Sequence, residues 1–87
     1  MTDTVRCWLV ERSYGARDIV TLVYATPDGE RALTKELSSS MLPRTTVTAA
    51  VEVDPDRLQP VTDPDDRERY ATEADRVREN NAPDEAL

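Results

Sequence analysis

The chain has 87 residues, a formal net charge of −7, no histidine and one cysteine. A chain of this length is predicted to be one domain with a modest core, because a small domain buries a smaller share of its surface. Without imidazole, Ser-His and Cys-His nucleophile pairs are excluded, and the lone Cys7 can form neither an internal disulfide nor a zinc site.

The acidic charge is concentrated in the C-terminal part of the chain. Residues 51–87 contain five basic and twelve acidic side chains, whereas residues 1–50 contain six of each. Such a surface stays hydrated at high salt, where its self-repulsion is screened over about 3 Å at 1 M. We therefore expect a salt-adapted protein. No apolar run approaches the roughly 20 residues of a membrane span and no signal peptide is visible, so we expect no membrane association and a cytoplasmic location.

Two strands joined by a tight turn are predicted at the N-terminus. The first runs from Thr4 to Arg12 and places Val5, Cys7 and Leu9 on one face and Arg6, Trp8 and Val10 on the other. The turn covers residues 13–16, with Gly15 as its positive-φ residue. The register is not fixed by sequence, but pairing Arg12 with Asp18 is better than pairing Glu11 with Asp18, which sets like charges opposite.

The longest apolar run, Ile19 to Ala25, is predicted to be an interior strand. Apolar side chains fall on both of its faces, whereas a strand exposed on one side carries them at every second position. Either both faces are covered or the second face is a binding surface. Pro27-Asp28-Gly29 then forms a turn, because Pro presets φ and Gly accepts positive φ.

The segment from Glu30 to Leu37 fits two structures. As a strand, it closes a second hairpin after the Asp-Gly turn. As a helix, it begins after a Thr26 cap with Pro27 at the first position, and Leu33, Leu37 and Met41 share a face. We favour the strand, because the preceding strand needs a neighbour on its second edge. Residues 38–44 are predicted to be a connector.

The C-terminal half is predicted to add a strand and a helix. Residues 45–53 alternate, with Val47, Ala49, Val51 and Val53 facing inward. Residues 54–58 form a short helical turn that returns Leu58 to the core. Asp63 and Pro64 then start a helix that ends near Asn80 and carries an apolar stripe of Tyr70, Ala71, Ala74 and Val77. Residues 82–87 are predicted to fray.

Together these elements predict an α+β fold. The sheet has three or four mainly antiparallel strands in the order β-β-β-β-α or, if residues 30–37 are helical, β-β-α-β-α. The C-terminal amphipathic helix packs on one face of this sheet. Residues 1–81 form the single domain and residues 82–87 its tail.

No group of side chains in the sequence predicts chemistry. Cys7 lies between Val5 and Leu9 on an apolar face, which is typical of a small core residue. The carboxylates between residues 54 and 66 lack the central Gly and the bidentate Glu of a calcium loop. The serines at 38–40 have only Lys35 as a candidate base. We therefore expect no catalytic residue, no specific metal and no cofactor.

A surface is the remaining functional candidate. Trp, Tyr and Arg are over-represented at interaction hot spots, and five such residues lie in the first two strands and their turn. They are Arg6, Trp8, Arg12, Tyr14 and Tyr24. The simpler alternative is that Trp8 packs under the helix or a loop.

Three segments, residues 20–31, 47–53 and 63–71, are similar to a family of short acidic uncharacterised proteins of halophilic archaea. They read VTLVYATPDGER, VTAAVEV and DPDDRERYA. The resemblance implies a salt-adapted cytoplasmic protein. It implies no catalytic or binding residue, since none is known for that family.

The sequence therefore predicts a small non-enzymatic protein-interaction or adaptor module that binds a protein partner or self-associates. An alternative is a small ligand-binding protein or a His-independent enzyme, which requires a pocket with a carboxylate of raised pKa beside an Arg. A nucleic-acid-associated module ranks third, because the sequence has no basic run. It requires an acid-free face that contains Arg6, Arg12, Arg17, Arg31 and Arg44.

Overall fold

Five strands and one long helix make up the part of the chain that the computed structural model describes, residues 3–40 and 46–87. They are β1 (Val5–Tyr14), β2 (Ile19–Ala25), β3 (Arg31–Ser38), β4 (Ala50–Val53), β5 (Gln59–Pro60) and α1 (Pro64–Asn80). The strands form one antiparallel sheet in the order β4-β1-β2-β3-β5. The predicted α+β fold with a C-terminal helix is confirmed, and β5 is an additional short strand.

β2 is the central strand of the sheet, as its apolar composition predicts. It pairs with β1 on one side and with β3 on the other. Its buried side chains point to both faces: Val20, Leu22 and Tyr24 to one, Val23 and Ala25 to the other. The neighbour on its second edge is β3, so the strand interpretation of residues 30–37 is confirmed and the helical alternative is wrong.

The core lies in two layers on opposite faces of the sheet. The helix-side cluster consists of the buried residues Trp8, Val10, Val23, Ala25, Ala49, Ala50 and Ala74. The inner cluster consists of Cys7, Leu9, Val20, Leu22, Tyr24, Val47, Val53 and Leu58. The predicted alternation of β1 is confirmed, because its residues divide between the two clusters as expected. Each fully buried large aliphatic side chain contributes about 1.5–3 kcal/mol to folding.

The register of the first hairpin differs from the prediction. Arg12 pairs with Leu22 rather than with Asp18, and Tyr14 pairs with Val20. The prediction was wrong because it placed the turn at residues 13–16, whereas β1 continues through Tyr14. The position of the turn therefore determines the register of β1 and β2. The attraction between Arg12 and Asp18, as one exposed charge pair, is too weak to change it.

The residues with positive φ in this turn are not the ones predicted. Gly15 has a φ of −93°, and its N–H donates to the Ile19 carbonyl at 2.7 Å. The positive φ angles belong to Arg17, at 62°, and Asp18, at 60°. The prediction that Gly15 supplies positive φ was wrong, because Asp tolerates the left-handed region and the chain reverses two residues later than the glycine indicates.

The turn between β2 and β3 packs directly on α1. Gly29 has a φ of 72° and is buried. A methyl group at this position would lie 2.9 Å from the Ala71 nitrogen and still closer to the Arg67 carbonyl oxygen. The buried Thr26 hydroxyl donates to the Asp28 carboxylate at 2.5 Å, and that carboxylate also accepts the N–H of Glu30 at 2.9 Å. The predicted turn is therefore confirmed, and it anchors the helix to the sheet.

Replacing Asp28 with asparagine should destabilise the protein at neutral pH and matter less as the pH falls. Hydrogen bonds from the Thr26 hydroxyl and the Glu30 N–H hold the pKa of the Asp28 carboxyl below its ordinary value. A group with a lowered pKa stabilises the fold above its unfolded-state pKa of about 4, and this contribution is lost as the pH falls through the folded-state pKa. Urea unfolding of both proteins across this pH range measures the effect. A stability difference that is independent of pH would contradict it.

The fourth strand is shorter than predicted, and the C-terminal residues lie beside the segment that precedes it. Only Ala50–Val53 forms the ladder with β1, and Thr45 is outside the described residues. Residues 82–87, which the sequence predicts to fray, are hydrogen-bonded in the structure to the segment that precedes β4. The Ala49 N–H donates to the Glu85 carbonyl at 2.9 Å, and the Leu87 N–H donates to the Val47 carbonyl at 2.8 Å. A bend at Ala49 buries Ala49 and Ala50 in succession, which breaks the predicted alternation.

The helix α1 begins and ends where the sequence predicts. The Asp63 carboxylate accepts the N–H of Asp65 at 2.8 Å, and Pro64 occupies the first helical position. Ala74 is fully buried, and Tyr70 and Val77 pack around it in the helix-side cluster. The helix therefore packs through the small residue Ala74 mainly on β1 and less on β2.

The sheet curls so that its two edge strands approach each other. β4 and β5 lie at opposite edges, and five residues connect Val53 to Gln59. In a flat five-stranded sheet those edges would be about 19 Å apart. Six extended steps reach only about 20 Å, and this link contains the 3-10 turn Pro55–Arg57, which rises about 2 Å per residue. The inner cluster therefore fills the concave side of a curled sheet.

Candidate functional site

Most of the outer edge of β3 has no strand beside it in the described residues. β5 pairs only with Arg31 and Ala32. From Leu33 to Ser38, β3 pairs with β2 alone. An edge of this kind presents unpaired N–H and C=O groups, which can accept a further strand.

Alternate residues of β3 direct their backbone groups away from β2. The Arg31 carbonyl accepts the N–H of Thr26, on the β2 side, whereas the Glu30 carbonyl accepts an N–H from the segment after β5. In an antiparallel strand, the N–H and C=O of one residue point to the same side, and those of the next residue point to the opposite side. Thr34 and Glu36 therefore direct their N–H and C=O groups outward.

A cavity of about 200 Å³ lies between β3 and β4 on the concave side of the sheet. Its walls are mainly the apolar side chains Leu22, Tyr24, Leu33, Leu37, Val47, Val51 and Val53. Burial raises the pKa of the Tyr24 hydroxyl, so it is neutral and available as a hydrogen-bond donor. The cavity exists because the curled sheet brings β3 and β4 face to face without hydrogen bonds between them.

Two cationic residues also border this cavity: Lys35 on β3 and Arg57 in the link between β4 and β5. Glu52 of β4 borders it too, but its side chain lies on the helix side of the sheet, because Glu52 pairs directly with Arg6. There it accepts hydrogen bonds from Arg6 at 3.0 Å and from Thr4 at 3.2 Å. No ion pair of Lys35 or Arg57 occurs with the rest of the described chain. The net charge around the cavity is therefore positive, in a protein whose net charge is −7.

A second, open depression of about 470 Å³ lies on the other face of β3. It is bounded by Ala32 and Thr34 of β3, by residues 59–63 and by Asp66 and Tyr70 of α1. It exists because α1 packs mainly on β1 and leaves the β3 side of the sheet uncovered. The unpaired edge of β3 borders this depression only at Leu33 and Thr34, whereas Leu33, Lys35 and Leu37 border the cavity on the other face.

The five residues predicted to form an interaction surface lie on two faces of the sheet. Arg6 and Trp8 are on the helix side, where Trp8 is 4% exposed. Arg12, Tyr14 and Tyr24 are on the opposite side, where Tyr24 is also 4% exposed and Tyr14 is 70% exposed. The structure therefore does not bring the five together, and Trp8 packs under the helix as in the simpler interpretation.

The two predicted arginine positions in β1 are also separated. Arg6 pairs with Glu52, and Arg12 donates to the Leu87 carbonyl at 3.3 Å on the opposite face of the sheet. Arg44 lies outside the described residues. The acid-free arginine face that a nucleic-acid interface requires is therefore not present in residues 3–40 and 46–87.

The other residues considered for chemistry have structural roles. Cys7 is fully buried in the inner cluster, and burial raises the pKa of its thiol, which makes it a poor nucleophile. The carboxylates of Asp54 and Asp63 cap the helical turns that follow them. No group of three or more Cys, Asp or Glu with metal-binding geometry occurs in the described residues. No helix of that part of the chain is long and apolar enough to cross a membrane.

Comparison with known proteins identifies the family but gives no activity. The family model described as "Family of unknown function (DUF7967)" matches residues 1–87. The chain belongs to the DUF7967 family. No curated protein and no solved structure matches the chain.

The outer edge of β3 is not among the candidate sites predicted from the sequence. Lys35 enters those predictions only as a base for the neighbouring serines. A signal is nevertheless present, because Leu33 and Leu37 flank Lys35 on one face of the strand and Thr34 and Glu36 lie on the other. What the sequence cannot show is that β5 stops after two residues and leaves this edge unpaired.

Proposed function

We propose that this DUF7967 protein is a small non-enzymatic protein-interaction module that accepts an extended strand of another protein along β3. The observation that supports this is the unpaired stretch Leu33–Ser38, which borders a cavity along one face and a depression at its N-terminal end on the other. The composition supports a salt-adapted, cytoplasmic setting in a halophilic archaeon, because an acidic surface stays hydrated where salt screens its self-repulsion.

Strand addition supplies affinity and specificity from different groups. The outward N–H and C=O groups of Thr34 and Glu36 provide four backbone hydrogen bonds, each worth about 0.5–1.5 kcal/mol net. Alternate side chains of the added strand would enter the cavity on one face and the depression beside α1 on the other. An acidic residue opposite Lys35 and a basic one opposite Glu36 complete the match.

A second copy of the chain is a poor partner for this edge. Two copies of β3 pair antiparallel about a two-fold axis, so residues on the same face lie opposite each other. When Leu33–Ser38 pairs with the same stretch of a second copy, two registers pair the most residues. One places Lys35 opposite Lys35, and the other places Glu36 opposite Glu36. Like charges directly opposite are destabilising, so a strand from a different protein is the better occupant.

Replacing Glu36 with proline should abolish strand addition and leave the fold intact. The Glu36 N–H points away from β2, so proline removes an outward donor without breaking the β2–β3 ladder. The probe is a display library of peptides of about ten residues, selected on the wild-type protein. We expect the selected peptides to alternate apolar and polar residues and to bind Glu36→Pro at least about tenfold more weakly, as measured by calorimetry.

The matched control is Glu36→Ala, which removes the same charge but keeps the N–H. It should bind the selected peptides within about threefold of wild type. Equal binding to the proline variant, with an unchanged circular dichroism spectrum, would refute strand addition at β3. Light scattering of the free protein across a salt series tests the choice of partner, since a dimer that disappears in Glu36→Pro would make the second copy the occupant.

A further inference from the structure

The cavity between β3 and β4 has the composition of a site for an amphipathic ligand. Seven of the residues that line it on the concave side of the sheet are aliphatic or aromatic, and Lys35, Thr46, Glu52 and Arg57 also border it. Small-molecule sites are typically concave and mostly apolar, with a few polar groups that fix orientation. The cavity differs from the outer edge of β3 because its walls come from β2, β3 and β4 together.

The charged residues at the cavity determine whether the polar end of the ligand is anionic or cationic. Lys35 and Arg57 are both exposed and form no ion pair with the described residues, although the chain has 18 acidic side chains for 11 basic ones. Glu52 is held by Arg6, which offsets its charge. Two cations beside an apolar cavity favour a ligand with an anionic head and an apolar tail.

We infer that this cavity binds an aliphatic monocarboxylate of about six to eight carbons. A dry cavity of about 150 Å³ accommodates a six-carbon ring, so the 200 Å³ observed here suits a slightly longer chain. The tail packs against Leu33, Leu37 and Val51. The carboxylate lies between Lys35 and Arg57, where the guanidinium can donate two parallel hydrogen bonds. The walls of this site come from the chain itself, so it exists without strand addition at β3, but the ligand and the side chains of an added strand would compete for the cavity.

Titration of the full chain with octanoate and 1-octanol tests the site, with backbone amide shifts in two-dimensional NMR as the readout. We expect octanoate to shift the amides of Leu33, Leu37 and Val51 and to bind more tightly than 1-octanol. Replacing both Lys35 and Arg57 with glutamine should weaken octanoate binding about tenfold and leave 1-octanol unchanged. Because the cations are exposed, octanoate affinity should also fall as salt is raised.

The control removes the same two charges elsewhere. Arg76→Gln with Arg78→Gln, on the solvent side of α1, should change octanoate affinity less than about twofold. Leu37→Phe fills the cavity and should remove binding of both ligands, with circular dichroism as the check on folding. The inference is overturned if octanoate causes no shifts at these amides, or if the Lys35 and Arg57 double variant binds it as tightly as wild type.

Discussion

Gly29→Ala should lower the free energy of unfolding by about 4 kcal/mol, the largest effect expected of any single methyl group in this protein. Two costs add. Gly29 has a φ of 72°, a region that costs a residue with a Cβ about 1–3 kcal/mol. The new methyl would also lie 2.9 Å from the Ala71 nitrogen and closer still to the Arg67 carbonyl, and both are backbone atoms of α1 that cannot rotate away.

The consequence is large relative to the total stability. A domain of this length has an unfolding free energy of about 4–13 kcal/mol, so a loss of about 4 kcal/mol removes between about a third and all of it. Urea unfolding at a fixed salt concentration, followed by circular dichroism and Trp8 fluorescence, measures the loss. The fluorescence should report exposure of Trp8 because this side chain lies under the helix that Gly29 anchors.

The matched control is Gly15→Ala, in the other hairpin turn. Gly15 has a φ of −93°, and a methyl there would meet only the Ile19 carbonyl at 3.5 Å. Its effect should be within about 0.5 kcal/mol of zero or slightly stabilising, since alanine restricts the unfolded chain. If Gly29→Ala is as mild as Gly15→Ala, the close packing of this turn on α1 is wrong.

Trp8→Ala should lower the free energy of unfolding by about 3–5 kcal/mol, the range for deleting a large buried aromatic side chain. Trp8 is 4% exposed and contacts β2, the Ala49–Ala50 segment and α1 in the helix-side cluster. Its removal leaves a cavity that the small alanines around it cannot fill. Urea unfolding at the same salt concentration is again the measurement.

Tyr14→Ala is the control for Trp8, because both residues were predicted to belong to one interaction surface. Tyr14 is 70% exposed, so its removal should change stability by at most about 0.5 kcal/mol. The pair distinguishes the two interpretations of Trp8. A Trp8→Ala protein with wild-type stability and weakened peptide binding would return Trp8 to an interaction surface and remove it from the core.

The sequence predicts the parts of this fold that depend on local pattern. The two-sided apolar run of β2 identifies the central strand, and Asp63 with Pro64 identifies the start of α1. Both signals are contained within a few residues. The first turn was assigned wrongly for a related reason: glycine is the strongest local sign of positive φ, yet Arg17 and Asp18 adopt it here.

The candidate site could not be predicted, because it depends on where distant segments stop. β3 has an unpaired edge since β5 contributes only Gln59 and Pro60, and two residues have no periodicity to recognise. The cavity exists because the sheet curls, which follows from the length of the link after Val53 and not from any side chain. The segment 46–49 leaves the ladder because residues 82–87 lie beside it, more than 30 positions away in sequence.

The five-residue link between Val53 and Gln59 also joins the motions of the two sheet edges. A fluctuation that separates β4 from β1 should also displace β5, because the link is barely long enough to connect the two strands. We therefore expect β4 and β5 to open together rather than independently. A ligand bound in the cavity would slow this opening, so its binding would lengthen the lifetime of the native state.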